Sequence, residues 1–230
     1  MIKKENNLDM LYASIDMEST GLDPERCDVL SLSVIIENTN NKLSFNDIPK
    51  FNAAILHPEI TGSPRAISMN SQLIKYIGEY LECYDKRKRE IENISWFSFY
   101  QKDDVVKAFY RFLFDNGFGY DITNWTNKIN FDGKFYPAFS AQTKSIVLTA
   151  AGKNFNGLDR DMLSKLPWWQ KLIRVRQRFL DPSILLLDWK NDDFIPDLDL
   201  CKKRLEIPGP VMHTSESDAW DIIQILRKFY

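Results

Sequence analysis

Hydrophobic and polar residues alternate along the first third of the chain in runs that predict three β-strands in succession. Residues 11–16, 29–36 and 51–57 are rich in aliphatic and β-branched side chains, and polar or turn-forming residues separate them. A turn at residues 21–24 follows the first run, and an Asn-rich stretch at 37–47 follows the second. Three strands without an intervening helix predict an antiparallel meander.

The rest of the chain predicts helices that alternate with short strands. Apolar side chains at Val106, Phe109, Tyr110 and Leu113 follow the i, i+3, i+4, i+7 spacing of a helix over residues 103–116. We expect further strands at 145–150 and 179–187, and further helices at 158–174 apart from Pro167, at 198–205 and at 218–229. This order indicates an α/β protein.

Two segments depart from that alternation. Residues 82–95 contain the basic run 86–89, which is either a solvated helix face or a patch that attracts phosphate. Residues 119–143 are rich in Asn, Gly and aromatics and predict a small hairpin with Asp132-Gly133 as its turn. We interpret both segments as excursions from a single domain that spans residues 1–230.

Composition and charge narrow the possible functions. The 230 residues, of which 44% are hydrophobic, are enough for one domain with a sizeable core. Thirty basic against 32 acidic residues give a net charge of −2, which excludes the strongly basic balance of a tight duplex binder. Apolar runs stay well short of the roughly 20 residues that span a membrane, and no secretory leader is evident at the start. We therefore expect a soluble cytoplasmic protein with no membrane partner.

The cysteines give no sign of a disulfide framework or a zinc site. Cys27, Cys83 and Cys201 are odd in number and lack the spacing of metal ligands. Reduced, buried thiols are the expected state.

The first candidate chemistry is the acidic pair Asp16 and Glu18. Side chains two positions apart on a strand point to the same face, so these carboxylates can converge on one cation. Mg²⁺ and Mn²⁺ prefer such oxygen ligands, and two ions roughly 3.5–4 Å apart can clamp the attacking and leaving oxygens of a phosphodiester. An isolated D-x-E is a weak signal, but this one directly follows a hydrophobic strand.

Asp159, His213 and Asp218 are the other candidates, and each has a plain structural alternative. Asp159 is also placed as a first-turn acid favoured by a helix dipole. Ser215 and Asp218 form an S-x-x-D pattern typical of a helix capping box, and His213 alone would be an ordinary loop histidine. The order of these residues along the chain distinguishes a chemical role from a purely structural one.

That order resembles the DEDDh 3′→5′ exonucleases, a superfamily that includes the proofreading subunit of bacterial replicative polymerase, ribonuclease T and oligoribonuclease. The stretch 12–24, YASIDMESTGLDP, is similar to the first motif, residues 150–163 with Asp159 to the second, and His213-Thr-Ser-Glu-Ser-Asp218 to the third. Residues 198–207 are similar to the linking helix of the family. The second motif departs from the proofreading subunits, because Lys153-Asn154 stands in place of His-Asn with one extra residue before the aspartate.

The resemblance implies a ribonuclease H-like α/β fold, with a central mixed five-stranded sheet flanked by helices and the carboxylates at one end of the central strands. It implies that two Mg²⁺ or Mn²⁺ ions are held by four carboxylates, which are Asp16, Glu18, Asp159 and Asp218. It also implies that His213 takes a proton from the attacking water. The expected activity is 3′→5′ hydrolysis of single-stranded ends, with DNA favoured, to release nucleoside 5′-monophosphates.

Three alternatives to that activity remain open. One is an exoribonuclease of the ribonuclease T or oligoribonuclease type, the second is a nucleic-acid-binding module on the same fold without turnover, and the third is a plain interaction protein. The expected partners are single-stranded DNA or RNA 3′ ends, together with a polymerase or repair protein.

Substrate-binding candidates come from the same comparison. The residues expected to contact substrate are Ser19, Thr20, Gly21, Met69 and Asn154. Met69 and Ile67 lie where the family packs a segment against the terminal base, although core packing is an equal alternative. Trp168-Trp169, followed by Lys171, Arg174, Arg176 and Arg178, forms either a stacking and phosphate-binding face or a helix with buried tryptophans and a solvated basic side. His57 is expected to be structural, and Asp161 and Asp181 are lesser site candidates.

Overall fold

The computed structural model describes residues 10–83, 97–119, 126–129, 135–138 and 143–230. The strands in these ranges are β1 (Leu11–Ser19), β2 (Val29–Asn38), β3 (Lys50–Leu56), β4 (Ser98–Gln101), β5 (Thr126–Ile129), β6 (Phe135–Ala138), β7 (Ile146–Leu148), β8 (Ala150–Ala151) and β9 (Ile173–Val175). The α-helices are α1 (Pro64–Met69), α2 (Ser71–Cys83), α3 (Lys102–Asp115), α4 (Asp159–Ser164), α5 (Trp169–Leu172), α6 (Leu198–Arg204) and α7 (Ser215–Leu226). A 3₁₀ helix occupies Pro182–Leu186.

The main sheet has five strands in the order β4-β3-β2-β1-β8. β1, β2 and β3 pair antiparallel, whereas β4 joins β3 and β8 joins β1 in parallel. The antiparallel meander predicted from the first three hydrophobic runs is therefore confirmed, as is the mixed five-stranded sheet. β2 lies at the centre and is buried over nearly its whole length, because helices cover both faces of the sheet.

The two faces of β1 pack in different hydrophobic cores. Ala13, Ile15 and Met17 face one core, whose other members include the apolar stripe of α3 and residues of α4 and α5. The alternate positions face the other side, where Tyr12 packs with the apolar residues of α7. Asp16 has the same parity as Tyr12, so it lies on the α7 side of the sheet. Helix α2 covers the neighbouring part of that side, through a core around Ile77.

Three predicted elements differ from the structure. The strand expected at 145–150 is divided at residue 149 into β7, which pairs with β9, and β8, which pairs with β1. The helix expected at 158–174 ends at Leu172 and is interrupted near Pro167, where Trp168 adopts a left-handed φ of 72°. β-Branched Ile173 and Val175 continue as strand β9.

The strand predicted at 179–187 is wrong. Only Leu180 makes a bridge there, to Ala151, and Pro182–Leu186 forms a 3₁₀ helix instead. The carboxylate of Asp181 accepts the backbone N–H of Ser183 at 3.0 Å, and Pro182 stands at the first helical position. A capping acid followed by proline begins a helical turn, and this local chemistry prevails over the apolar composition of the segment.

The two excursions lie largely outside the described residues, including the basic run 86–89 and the predicted Asp132-Gly133 turn. β5 and β6 do pair antiparallel within the second excursion, which agrees with the predicted hairpin. Cys27 and Cys201 are free thiols. No helix in the described ranges combines the length and the apolarity that crossing a membrane requires.

Candidate active site

A layer of serines brings helix α7 close to the end of β1. Asp16 pairs across the sheet with Ser33, and Glu18 pairs with Ser31. The hydroxyl of Ser215, at the start of α7, lies 2.8 Å from that of Ser33 and 3.0 Å from that of Ser31, and all three residues are fully buried. Because these side chains are small and satisfy one another, the first turn of α7 can rest directly against the strands beside both carboxylates.

One more serine fixes α7 along the strand. The hydroxyl of Ser14 donates to the backbone carbonyl of Ala219 at 2.7 Å in a buried bond that joins residues 205 positions apart. Asp218 immediately precedes Ala219 in the first turn of α7. The bond therefore sets the height of Asp218 relative to Asp16, two residues beyond Ser14.

The N-terminus of α7 differs from the capping box considered for the sequence. Thr214, not Ser215, is the N-cap, and its side-chain oxygen accepts the N–H of Ser217 at 3.4 Å. The carboxylate of Asp218 accepts the hydroxyl of Ser217 at 3.1 Å. Asp218 is thus not needed to close the helix end, and its remaining acceptor capacity is available for another group.

His213 lies on the exposed turn that leads into α7. Its φ of 52° places it in the left-handed region, which is uncommon for a residue other than glycine. The imidazole is close enough to Asp218 to act on that carboxyl, because His213 favours the ionised form and lowers its pKa. Backbone strain of this kind is often found at functional sites, where the surrounding structure enforces it.

Asp159 joins the same site from the other core. It is the first residue of α4 and only 8% exposed. Its carboxylate accepts hydrogen bonds from the backbone N–H of Met17, which lies between Asp16 and Glu18, and from its own N–H. The start of α4 is therefore attached to β1 at the acidic pair.

Withdrawal from water raises the pKa of all four carboxyls and is the largest cause at each of them. The pKa of Asp16 is well above its usual range because repulsion from Asp159, Asp218 and Glu18 adds to that effect. The pKa of Glu18 is raised to about 7 by desolvation and by Asp218, and that of Asp159 is raised to about 7 by burial. Acids that lie close together and are partly withdrawn from water create a demand for positive charge.

These side chains do not form a closed metal site as they stand. Within the described ranges, no three Asp, Glu, His or Cys side chains are arranged so that they could hold a metal ion. The structure therefore brings the acids into electrostatic contact without convergent coordination geometry.

Of the predicted substrate-binding residues, three hold the loop after β1 together. The hydroxyl of Ser19 donates to the carbonyl of Gly21 at 2.7 Å. Thr20 is fully buried, and its hydroxyl donates to the carbonyl of Thr61 and accepts the N–H of Asp28. The side chain of Thr20 is thus occupied within the fold, which leaves it no free face for a substrate.

The other two predicted contacts are exposed. Met69, at the end of α1, is 67% exposed and is not part of the core. Asn154 is exposed and has a left-handed φ of 54°, and its N–H donates to the carboxylate of Asp181 at 3.2 Å. The carboxylate of Asp181 therefore supports the loop before α4 and caps the 3₁₀ helix, so both of its hydrogen-bonding roles are structural. Asp161 is exposed on α4, away from the buried acids.

His57 has a structural environment, as predicted. Its Nε2–H donates to the carbonyl of Val29 at 2.8 Å, and its Nδ1 lies 3.5 Å from a carboxylate oxygen of Asp28.

Asn70 is the clearest site residue that sequence reasoning missed. It lies between α1 and α2, beside Glu18, and its amide lowers the pKa of that carboxyl against the effect of burial. The same amide group donates to the carbonyl of Ser19 at 3.1 Å and to that of Ala66 at 3.2 Å. Nothing local in the sequence distinguishes it from a surface asparagine. The serine layer had a signal, since Ser31 and Ser33 interrupt an otherwise apolar strand on one face.

Comparisons with known proteins find likeness in structure but no match in sequence. No protein-family model matches the chain, and no curated protein matches it. The crystal structure of cell-death related nuclease 4 (CRN-4) superposes on 95% of this chain with a TM-score of 0.50 at 10% sequence identity. This chain spans 63% of the length of the CRN-4 chain. The likeness shows the fold: the mixed sheet flanked by helices is ribonuclease H-like, as expected from the sequence.

Proposed function

We propose that the protein is a divalent-metal-dependent 3′→5′ exonuclease of the DEDDh type, acting on single-stranded ends with DNA favoured. The observation that carries this proposal is the group of four carboxyls at one end of the central strands, half-buried or buried, in which Asp16 and Glu18 are repelled by their acidic neighbours. A fold shared with a nuclease is consistent with it. An interaction protein would have no reason to bury such a costly arrangement, because each unpaired acid in a low-dielectric site opposes folding.

The donor set fits hard divalent cations. Carboxylate oxygens are the preferred ligands of Mg²⁺ and Mn²⁺, and the residues that would hold two such ions are Asp16, Glu18, Asp159 and Asp218. When bound, the ions would neutralise charge that develops on the phosphodiester oxygens.

His213 is proposed to accept the proton of the attacking water. Imidazole exchanges protons near neutral pH, and His213 lies on an exposed turn beside Asp218, where solvent and substrate have access. Asn70 is proposed to orient Glu18, because its amide is held in place by the carbonyls of Ser19 and Ala66 and acts on that carboxyl. Met69 and Asn154 remain proposed contacts to the terminal nucleotide, and both have exposed side chains.

The test is time-resolved cleavage of 5′-labelled single-stranded DNA and RNA oligonucleotides of equal sequence, with Mn²⁺ and with EDTA. A ladder that shortens from the 3′ end, with nucleoside 5′-monophosphates as product, is the expected result, and the two sugars report the preference between DNA and RNA. The Asp159→Asn variant should be inactive. Asp161→Asn, which changes an exposed carboxylate two residues away on the same helix, is the matched control and should remain active. Binding of both oligonucleotides without cleavage would instead identify a binding module.

A further inference from the structure

The stretch between Asp161 and Asp181 is the most one-sided in charge near the candidate active site. Residues 162–180 contain five basic side chains and no acidic one, in a chain whose total charge is −2. The next stretch has the opposite character, since residues 182–199 contain five aspartates and one lysine. A polyanion at this surface would be attracted to the first stretch and repelled by the second.

Three exposed arginines follow one another in the basic stretch, and we call them the arginine row: Arg174, Arg176 and Arg178. Arg174 points outward from β9 beside exposed Val147, while Ile173 faces the core. The N–H of Arg176 donates to the carbonyl of Leu148 at 2.9 Å, so contact with β7 continues one residue past the end of β9. Two positions along an extended chain span roughly 6.6 Å, which is the spacing of Arg174 and Arg176, and the chain then bends at residues 177 and 178, where Arg178 lies.

The arginine row is not used to stabilise the fold. Other arginines pair with acids, such as Arg204 with Asp192 and Arg227 with Glu37. No member of the row forms an ion pair with any carboxylate in the part of the chain that the structure describes. Guanidinium groups left exposed in this way are suited to bind phosphate in two-pronged fashion.

Trp168 and two lysines extend the basic surface beyond Arg174. Trp169 is buried and stacks on Phe109, so this tryptophan belongs to the core. Trp168 is 38% exposed, and the ammonium nitrogens of Lys107 and Lys171 each lie 5.2 Å from its ring centroid. Lys107 is already paired with a carboxylate oxygen of Asp104 at 3.0 Å, whereas Lys171 is exposed and is held by the indole where it could receive an anion. Trp169 thus fits the alternative of a buried tryptophan, whereas the exposed Trp168 stays a candidate for the stacking and phosphate-binding face.

The arginine row leads toward the candidate active site. Leu180 follows the row and bridges in parallel to Ala151, which in turn pairs in parallel with Ser14 of β1. All three segments run in the same direction, and Asp16 and Glu18 lie just beyond Ser14. A strand that follows the row from Arg174 to Arg178 therefore approaches the carboxylates.

We propose that the arginine row, with Lys171 beside Trp168 at its far end, binds the phosphate backbone of single-stranded nucleic acid upstream of the 3′ terminus. The direction of the strand rests on the proposed exonuclease function, whereas the binding itself does not. The row contributes affinity that grows with strand length and carries no base preference, because it contacts phosphates only.

The experiment compares fluorescence anisotropy of labelled single-stranded DNA and RNA, short and long, in EDTA over a range of NaCl concentrations. The test protein is Arg174→Gln/Arg176→Gln/Arg178→Gln, with circular dichroism and thermal melting to show that it is folded. Lys75→Gln/Lys203→Gln/Lys228→Gln removes the same charge from exposed positions elsewhere and is the matched control. Arg174→Lys/Arg176→Lys/Arg178→Lys keeps the charge of the row.

The expected result is a Kd at least about tenfold weaker for the long strands in the glutamine variant of the row. The slope of log K against log salt should fall in magnitude by about 2, at roughly 0.7 per lost contact to a single strand. The lysine variant and the matched control should keep the parental slope. A row variant with the parental Kd and slope would overturn the proposal, as would equal weakening in the matched control.

The outcomes for the row and for the nuclease are separable. Binding that depends on the row, in a parent protein that never cleaves, supports the row and refutes the exonuclease. Cleavage by the parent protein, together with binding that does not depend on the row, refutes the proposed role of the row but not the proposed exonuclease activity.

Discussion

The ammonium nitrogen of Lys202 lies 2.7 Å from a carboxylate oxygen of Asp221, and both side chains are buried where α6 meets α7. Lys202 also lies 3.4 Å from the carbonyl of Pro210, on the segment that leads to His213. Its positive charge reaches Asp218, one turn before Asp221, and lowers the pKa of that carboxyl. The pair therefore joins the predicted linking helix to the helix that carries part of the candidate site.

Removing Lys202 should destabilise the protein more than removing the pair. Lys202→Met leaves Asp221 buried without a counter-charge, which costs about 3–5 kcal/mol of the free energy of unfolding. Lys202→Met/Asp221→Leu removes both charges and should recover most of that loss. Urea denaturation of the parent and both variants measures the difference. If the double variant is no more stable than Lys202→Met, the loss is one of packing and the ion-pair explanation is wrong.

The pH dependence of stability should reveal the four carboxyls. The pKa values of Glu18 and Asp159 are about 7 in the folded protein and about 4 in an unfolded chain, so the folded state binds more protons between these values. Their contribution to stability is therefore present at low pH and is lost as pH rises through about 7. Asp192 contributes to stability in the opposite direction, because its pKa is lowered to about 2. Its contribution changes at a lower pH than the range over which Glu18 and Asp159 titrate.

Divalent cations should reverse that loss. We expect the rise in Tm on adding Mn²⁺ to be larger at about pH 8 than at about pH 5, because the deprotonated carboxyls bind the ion and ligand binding stabilises the folded state. Thermal melting in EDTA and in Mn²⁺ across this range measures both effects. Glu18→Gln should flatten the pH profile, whereas Asp161→Asn should leave it unchanged. An unchanged Tm with Mn²⁺ at every pH would contradict the proposed metal site.

His213 and Asp16 should differ in what they contribute. His213→Ala removes a proton acceptor but no carboxylate, so kcat should fall by roughly 10²–10⁴-fold while Mn²⁺ affinity stays near that of the parent. Asp16→Ala should lower both kcat and the affinity for Mn²⁺. Steady-state cleavage and calorimetric titration with Mn²⁺ measure the two quantities. A His213→Ala variant that cleaves as fast as the parent would show that another group accepts the proton.

Two glycines offer a matched test of how the loop after β1 is packed. A Cβ at Gly62 would lie 2.3 Å from the Cβ and the carbonyl oxygen of Thr20, whereas a Cβ at Gly78 would meet nothing within 4 Å. Gly62→Ala should cost about 1–3 kcal/mol because backbone must shift. Gly78→Ala lies in α2 and should stabilise by about 0.4–1 kcal/mol. Equal effects of the two changes on the free energy of unfolding would contradict this packing.

Local patterns in the sequence predict the meander and the helices α3, α6 and α7 because those elements have a strong hydrophobic period of their own. They fail at residues 179–187, where an apolar composition suits a strand but Asp181 and Pro182 begin a helical turn. They also fail at β7 and β8, because the division at residue 149 depends on which partner each half meets. Pairing between distant strands is not encoded in a local window.

The candidate site, like the fold, could be predicted from the sequence only in part. The order of the acidic motifs predicts which carboxylates to examine, and the structure brings Asp16, Glu18, Asp159 and Asp218 into electrostatic contact. Of the residues that position them, Ser31 and Ser33 had a signal in the sequence, whereas their partners did not. Asn70 acts through a turn between two helices, and Ser215 acts through contacts with strands more than 180 residues earlier in the chain.

The bond between Ser14 and Ala219 has a consequence for how the protein is made. A ribosome produces β1 first, and Asp16 must wait for Asp159 and then for α7 before its surroundings exist. Until α7 has been synthesised, the strand carries two acids with no helix beside them, and the arrangement proposed to cut nucleic acid is incomplete. The order of residues along the chain therefore means that Asp218 can join the carboxyls of β1 only after the segment with Asp159 and then α7 have been synthesised.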